Sequence, residues 1–134
     1  MPEAEFKRVR DDERAHVEDL LFTYNPSAVI QGRYYMALED DAIKGIVGLL
    51  WRSWYLTELR HLFVKPEFRR QGIGTFLVEE ALKRVRTPLA CCTVRDNNEG
   101  SLALLRRAGF IMERRFVNPE TGNTVSLLVR PRDL

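Results

Sequence analysis

Apolar positions along the chain follow two periods, and the switches between them outline its elements. Phe6 and Val9 alternate with polar neighbours and predict a short first strand; Val17, Leu20, Leu21 and Tyr24 then recur at helical spacing, with Asp11 or Asp12 as a cap. Residues 25–32, Asn-Pro-Ser-Ala-Val-Ile-Gln-Gly, break the pattern and leave room for at most a short second helix. Residues 33–39 and 42–51 read as a hairpin turning at Asp40 and Asp41. A further strand over 55–64 ends at Lys65 and Pro66, because proline has no N–H for a ladder.

Beyond the proline, Gly74, Leu77, Val78, Ala81, Leu82 and Val85 form one apolar stripe of helical period. The opposite face pairs Glu79 with Lys83 and Glu80 with Arg84 at i,i+4 spacing. Residues 89–94 predict a strand, 101–108 a helix ended by Gly109, and 110–116 with 124–130 a closing hairpin around the turn at 118–123. This order predicts an α+β fold, a mixed central sheet flanked by helices, in a single domain over residues 1–134.

Composition narrows the function. Twenty-one Lys and Arg against nineteen Asp and Glu leave a net charge of +2, too near balance for a nucleic-acid binder. The charged N-terminal stretch lacks the apolar core of a secretory signal, and no apolar run is long enough to span a membrane, so the expected location is cytoplasmic. Cys91 and Cys92 are adjacent, which on a strand points them to opposite faces, and no metal-ligand spacing accompanies them.

The candidate chemistry begins at Val64-Lys65-Pro66-Glu67-Phe68-Arg69-Arg70-Gln71-Gly72-Ile73-Gly74. A helix start carries unpaired N–H groups and a partial positive charge, and glycines let the backbone curl so that successive amides converge on an anion. Arg69 and Arg70 add charge and Thr75 a hydroxyl. No Gly-Lys-Ser/Thr ends the turn and no third glycine follows, so it is neither a P-loop nor a dinucleotide fingerprint.

The run Leu62 to Gly74 resembles the acyl-CoA signature of the GNAT superfamily of N-acetyltransferases, Arg/Gln-x-x-Gly-x-Gly/Ala between a strand and a helix. Asn98, Ser101, Leu104 and Arg107-Ala108-Gly109-Phe110 match that family's second block, and the element order matches its fold from residue 3 to residue 130. The resemblance implies a GNAT-like acyl-CoA N-acyltransferase fold, with acetyl-CoA as cosubstrate and a primary amine of a small molecule or peptide as acceptor. It places the pyrophosphate on the amides of Arg70, Gln71, Gly72, Ile73, Gly74 and Thr75. It lays the pantetheine arm along Leu62, Phe63 and Val64, where that strand splays from residues 90–94. Asn98 and Ser101 help to hold the cofactor, and the oxyanion falls to the amide of Phe63 or Val64. Some relatives pair through their terminal strands, which makes a homodimer an expectation.

Glu58 is the candidate general base, a carboxylate with the strand parity of Leu62 and Val64; the alternative role is a partner for Arg60. His61 has the opposite parity and reads as packing or surface, and His16 as surface. Relatives often carry a tyrosine where Leu105 stands, so the thiolate's proton donor is open, with Tyr24, Tyr34, Tyr35 and Tyr55 as replacements. Most aromatics around the acceptor region, Trp51 and Trp54 among them, read as core. The alternative to catalysis is a regulatory module that binds acyl-CoA without transferring it.

Overall fold

The computed structural model describes residues 3–132 apart from Ser27. Its elements are β1 (Glu5–Arg8), α1 (Arg14–Tyr24), β2 (Arg33–Glu39), β3 (Ala42–Ser53), β4 (Leu56–Val64), α2 (Ile73–Leu82), β5 (Leu89–Arg95), α3 (Glu99–Arg107), β6 (Ile111–Val117) and β7 (Thr124–Pro131). The strands form one sheet in the order β1-β2-β3-β4-β5-β7-β6, in which only β4 and β5 run parallel. This is the mixed sheet that the alternating periods predict.

Local chemistry departs from the sequence expectation in two places. Neither Asp11 nor Asp12 caps α1: both lie in a 3₁₀ turn, Asp11–Glu13, and Glu13 reaches back to accept the Arg10 amide at 3.0 Å. Residues 25–32 contain no helix among those described, within the expected bound of at most a short one. At the end of α2, Lys83 pairs with Glu80 at i,i+3 rather than with Glu79, whereas the expected i,i+4 pair of Arg84 with Glu80 forms. The β2–β3 turn follows the prediction, with Asp40 and Asp41 both left-handed at φ 51° and 62°, the geometry a two-residue hairpin needs.

The sheet separates two cores. On one face Leu77, Val78 and Ala81 of α2, with Leu105 of α3, pack against Val47, Leu49, Leu59 and Leu128; on the other, Val17 and Leu21 of α1 cover Tyr34 and Ile46. Cys91 and Cys92 are both buried, and burial pushes their thiols up to about 11 and about 12, which leaves them unreactive. Trp51, Trp54, Tyr24 and Tyr55 are exposed, Trp54 to 76%, so the expectation that most of these aromatics are core fails. Trp51, Trp54 and Tyr55 sit at the β3–β4 hairpin and Tyr24 at the end of α1.

Gly45 lies where α2 and β4 both crowd β3: a Cβ there would stand 2.7 Å from the Phe63 carbonyl oxygen and 2.8 Å from Leu77 Cδ1. Gly100 in α3 has open space around it, its nearest neighbour being Asn98 Oδ1 at 4.0 Å. Gly45→Ala is expected to destabilise the protein by about 1–3 kcal/mol in urea unfolding. Gly100→Ala is expected to stabilise it by about 0.4–1 kcal/mol.

Candidate active site

The site begins where the parallel ladder stops. β4 and β5 pair only through Leu56 with Leu89, Thr57 with Ala90 and Glu58 with Cys91, while β5 continues along β7 as far as Arg95. From Leu59 onward β4 holds β3 alone, and its other edge opens into a gap. The Lys65 amide donates to the Lys44 carbonyl on β3 at 2.9 Å. Backbone amides alternate in direction along a strand, so Phe63 also faces β3, whereas Leu62 and Val64 face the gap. The amide available to an oxyanion is therefore not that of Phe63.

A bulge interrupts β4 at the same level. Phe63 pairs with Ile46 and Arg60 with Gly48, so His61 and Leu62 together oppose Val47. His61 takes the left-handed conformation, φ 50°, at a cost of about 1–2 kcal/mol for a residue with a Cβ. The inserted residue reverses side-chain parity. Leu59, Leu62 and Val64 pack in the α2 core, while Phe63 joins the α1 core. Glu58 therefore does not share a face with Leu62 and Val64, and His61 does not oppose it: both line one cavity.

On the α2 side of the gap lies a cradle. After β4 the chain makes a 3₁₀ turn, Pro66–Phe68, pinned by the Lys44 ammonium 4.9 Å over the Phe68 ring. Arg69 Nε donates to the Val64 carbonyl at 3.1 Å, Arg70 is left-handed at φ 64°, and Gly72 at φ 80° opens α2. The left-handed residues turn the loop amides toward the helix start, where Ile73, Gly74 and Thr75 have no intrahelical acceptor. Gly74 has a second task, since a Cβ would stand 2.8 Å from Leu104 Cδ1, so it lets α3 approach α2.

The cradle encloses about 650 Å³, lined by Leu62, Phe63, Val64, Arg69, Arg70, Gly72, Ile73, Gly74, Thr75, Asn98 and Ser101. Gln71 is the one residue of the expected set not on its wall. Arg107 is on that wall and was not foreseen; Ser101, Leu104 and Arg107 stand three residues apart on α3, and this spacing is the signal that marks their common face. Asn98 has a structural role too, its Oδ1 capping α3 by accepting the Ser101 amide at 3.2 Å.

A second cavity, of about 440 Å³, opens on the other side and shares Leu62, Asn98 and Ser101 with the cradle. Its walls come from Glu58 to Leu62 of β4, Cys92 to Arg95 of β5, the loop residues Asn25, Ala28 and Val29, and the β6–β7 turn. Arg52 holds one oxygen of Glu58, its Nε at 2.9 Å and Nη2 at 2.8 Å from Oε1. Arg60 Nε stands 3.7 Å from Oε2, an ion pair beyond hydrogen-bond range, so Oε2 keeps capacity to accept. Arg60 Nη1 is buried with no hydrogen-bond partner. Leu105 also reaches this cavity and offers no proton. Of the four tyrosines only Tyr34 bonds a residue on its wall, with Oη 2.7 Å from His61 Nδ1; Tyr24 instead packs on Phe63 at 4.5 Å.

A family model described as Acetyltransferase (GNAT) family matches residues 3–110. The fold is similar to that of a GNAT family acetyltransferase from Elizabethkingia anophelis solved with acetyl-CoA bound, at 17% identity and a TM-score of 0.76, covering 98% of this chain and 99% of that one. It is also similar to the ribosomal-protein-S18-alanine N-acetyltransferase from Escherichia coli, at 12% identity and TM-score 0.79 over 98% and 95% of the two chains. Arabidopsis thaliana NAA60 in complex with a bisubstrate analogue matches at 16% identity and TM-score 0.80 over 97% and 99%. No curated protein matches the sequence. These identities carry the fold alone, whereas the family model spans most of the chain: the protein belongs to the GNAT family of acetyltransferases.

Proposed function

We propose that this protein is an acetyl-CoA-dependent N-acetyltransferase acting on a primary amine of a small molecule or peptide. One observation carries the reading: the cradle and the Glu58 cavity meet at Leu62, Asn98 and Ser101, across the gap where β4 and β5 stop pairing. A thioester held in the gap faces the cradle with its phosphates and the Glu58 cavity with its acyl group. The relative from Elizabethkingia anophelis, with acetyl-CoA bound on the same fold, supports the choice of cosubstrate.

In this reading the amides around Gly72 and the guanidinium of Arg107 hold the pyrophosphate. The gap-facing amides of Leu62 and Val64 bind the pantetheine arm and the carbonyl oxygen; one preorganised donor on a developing oxyanion is worth about 3 kcal/mol of barrier. Glu58 Oε2 receives the first proton of the incoming ammonium while Arg52 fixes Oε1. Holding amine and thioester across one gap supplies the orientation that makes attack effectively unimolecular.

Acetyl-CoA and free CoA are expected to stabilise the protein saturably in thermal unfolding, by roughly 2.7 kcal/mol at 100 times the dissociation constant. Gly72→Glu, which strains a left-handed position and adds negative charge to the cradle, is expected to abolish that stabilisation. Millimolar acetyl-CoA without effect on the wild type would overturn the cofactor assignment. Glu58→Gln is expected to keep acetyl-CoA stabilisation while lowering kcat by about 100-fold or more, read as amine-dependent thiol release over an acceptor panel. Unchanged turnover in that variant removes Glu58 from the chemistry. Leu105 favours one second reading, a module that binds acyl-CoA without transfer; that reading predicts stabilisation with no amine-dependent thiol release from the wild type.

A further inference from the structure

Amine attack on a thioester moves two protons. The ammonium gives up the first before it can attack; attack then leaves a second on the nitrogen, and the sulfur needs one as the C–S bond breaks. Glu58 accounts for the first. Leu105, buried against the acceptor cavity, cannot supply the sulfur.

We propose that His61, held in place by Tyr34, takes the second proton from the attacking nitrogen and delivers it to the departing sulfur. The assignment rests on the acetyltransferase reading of this cavity and names the proton carrier that it lacks. The nitrogen's lone pair forms the C–N bond, its N–H proton passes to His61 Nε2, and the C–S bond breaks with its electron pair on sulfur. His61 then protonates that sulfur, so the imidazole ends as it began and free thiol is released. The first proton leaves Glu58 for solvent.

Four observations support the assignment. His61 immediately precedes Leu62, whose amide faces the gap, and lines the same cavity as Glu58. Its left-handed φ of 50° is retained by a residue with a Cβ at a bulge position that glycine fills without strain, and such outliers cluster at functional sites. The ring is fixed: Nδ1 lies 2.7 Å from Tyr34 Oη and the two rings stack at 5.9 Å and 15°. Tyr34 is fixed in turn, 2% exposed, because a Cβ on Gly48 would stand 2.6 Å from its ring and because the Arg14 guanidinium lies 5.6 Å from the ring centroid. In the tautomer this role requires, Nδ1–H donates to the phenol oxygen and Nε2 is the nitrogen left to accept a proton.

The charged and titratable groups that face this pair are Glu58 and Arg60 of β4, Arg14 of α1 beside Tyr34, and Arg95 and Glu120 on the cavity wall. Burial, then Arg60, hold His61 below its ordinary 6.5 against the opposing pull of Glu58, so the imidazole is neutral and able to accept at neutral pH. The rate is therefore expected to rise as pH climbs through a value below 6.5.

Hydroxylamine, an amine already uncharged at neutral pH, is the probe: its attack on acetyl-CoA needs no first deprotonation and reads the second proton alone. Asparagine tolerates left-handed backbone, so His61→Asn keeps the bulge, and Tyr34→Phe keeps the ring over Gly48. Thiol release, expressed per uncharged hydroxylamine at each pH because the reagent itself takes up a proton in this window, should fall about 100-fold or more in His61→Asn with its acid limb gone, within the usual range for general acid–base groups. Tyr34→Phe should fall less and shift that limb, while acetyl-CoA stabilises both variants as it does the wild type. His61→Asn turning over at the wild-type rate with the acid limb intact would overturn the assignment and leave the transferase standing. Wild type that binds acetyl-CoA but does not accelerate hydroxylaminolysis defeats the transferase reading itself.

Discussion

Three register pairs hold β4 to β5, and the way they end organises the molecule. Past Glu58 and Cys91 the two strands follow different partners, β4 staying with β3 and β5 with β7. A sheet opened in its middle leaves unpaired backbone that must find a partner, and buried amides without one are costly. α2 and α3 approach one side of the opening and the loop after α1 the other. The cradle and the Glu58 cavity are the two ends of this one break in the ladder.

Positive backbone angles do much of the local work. Gly72 and Arg70 aim the cradle amides, Asp40 and Asp41 close the β2–β3 hairpin, and His61 absorbs the bulge that sets the face of every later β4 side chain. Close approach is the other recurring device. Gly45, Gly48 and Gly74 each leave out a Cβ that would collide with Phe63, Tyr34 or Leu104. Gly48 thereby helps to place His61, since the space it yields to Tyr34 positions the hydroxyl that bonds the imidazole.

The periods of apolar residues made the element order readable, because each helix and strand buries one continuous face. The cradle was readable for the same kind of reason: Gly72 and Gly74 before an amphipathic helix, and Asn98 with Ser101 before the next, are local signals for local geometry. The Glu58 cavity was not. Its layout depends on a bulge, and one inserted residue reverses parity without leaving a mark when the left-handed position holds His61 instead of glycine. Counting by twos from Val64 therefore put Glu58 on the wrong face and separated it from His61. The α1 cap and the Glu79–Lys83 pair failed because exposed side chains choose among neighbours of nearly equal energy, while Glu80 and Arg84 pair as expected. Trp51 and Trp54 failed as core because hydrophobicity alone does not reveal which apolar residues of a hairpin stay exposed.

The central claim, that acetyl-CoA lies in the gap along β4, is tested most directly by amide hydrogen exchange at Leu62, Phe63, Val64 and Lys65 with and without the thioester. In the free protein Phe63 and Lys65 should be protected by β3, and Leu62 and Val64 should exchange rapidly into the gap. Saturating acetyl-CoA should slow Leu62 and Val64 while leaving the other two nearly unchanged. Protection confined to the loop around Gly72, with Leu62 and Val64 exchanging as before, would place the phosphates in the cradle but the arm elsewhere, and would contradict the account.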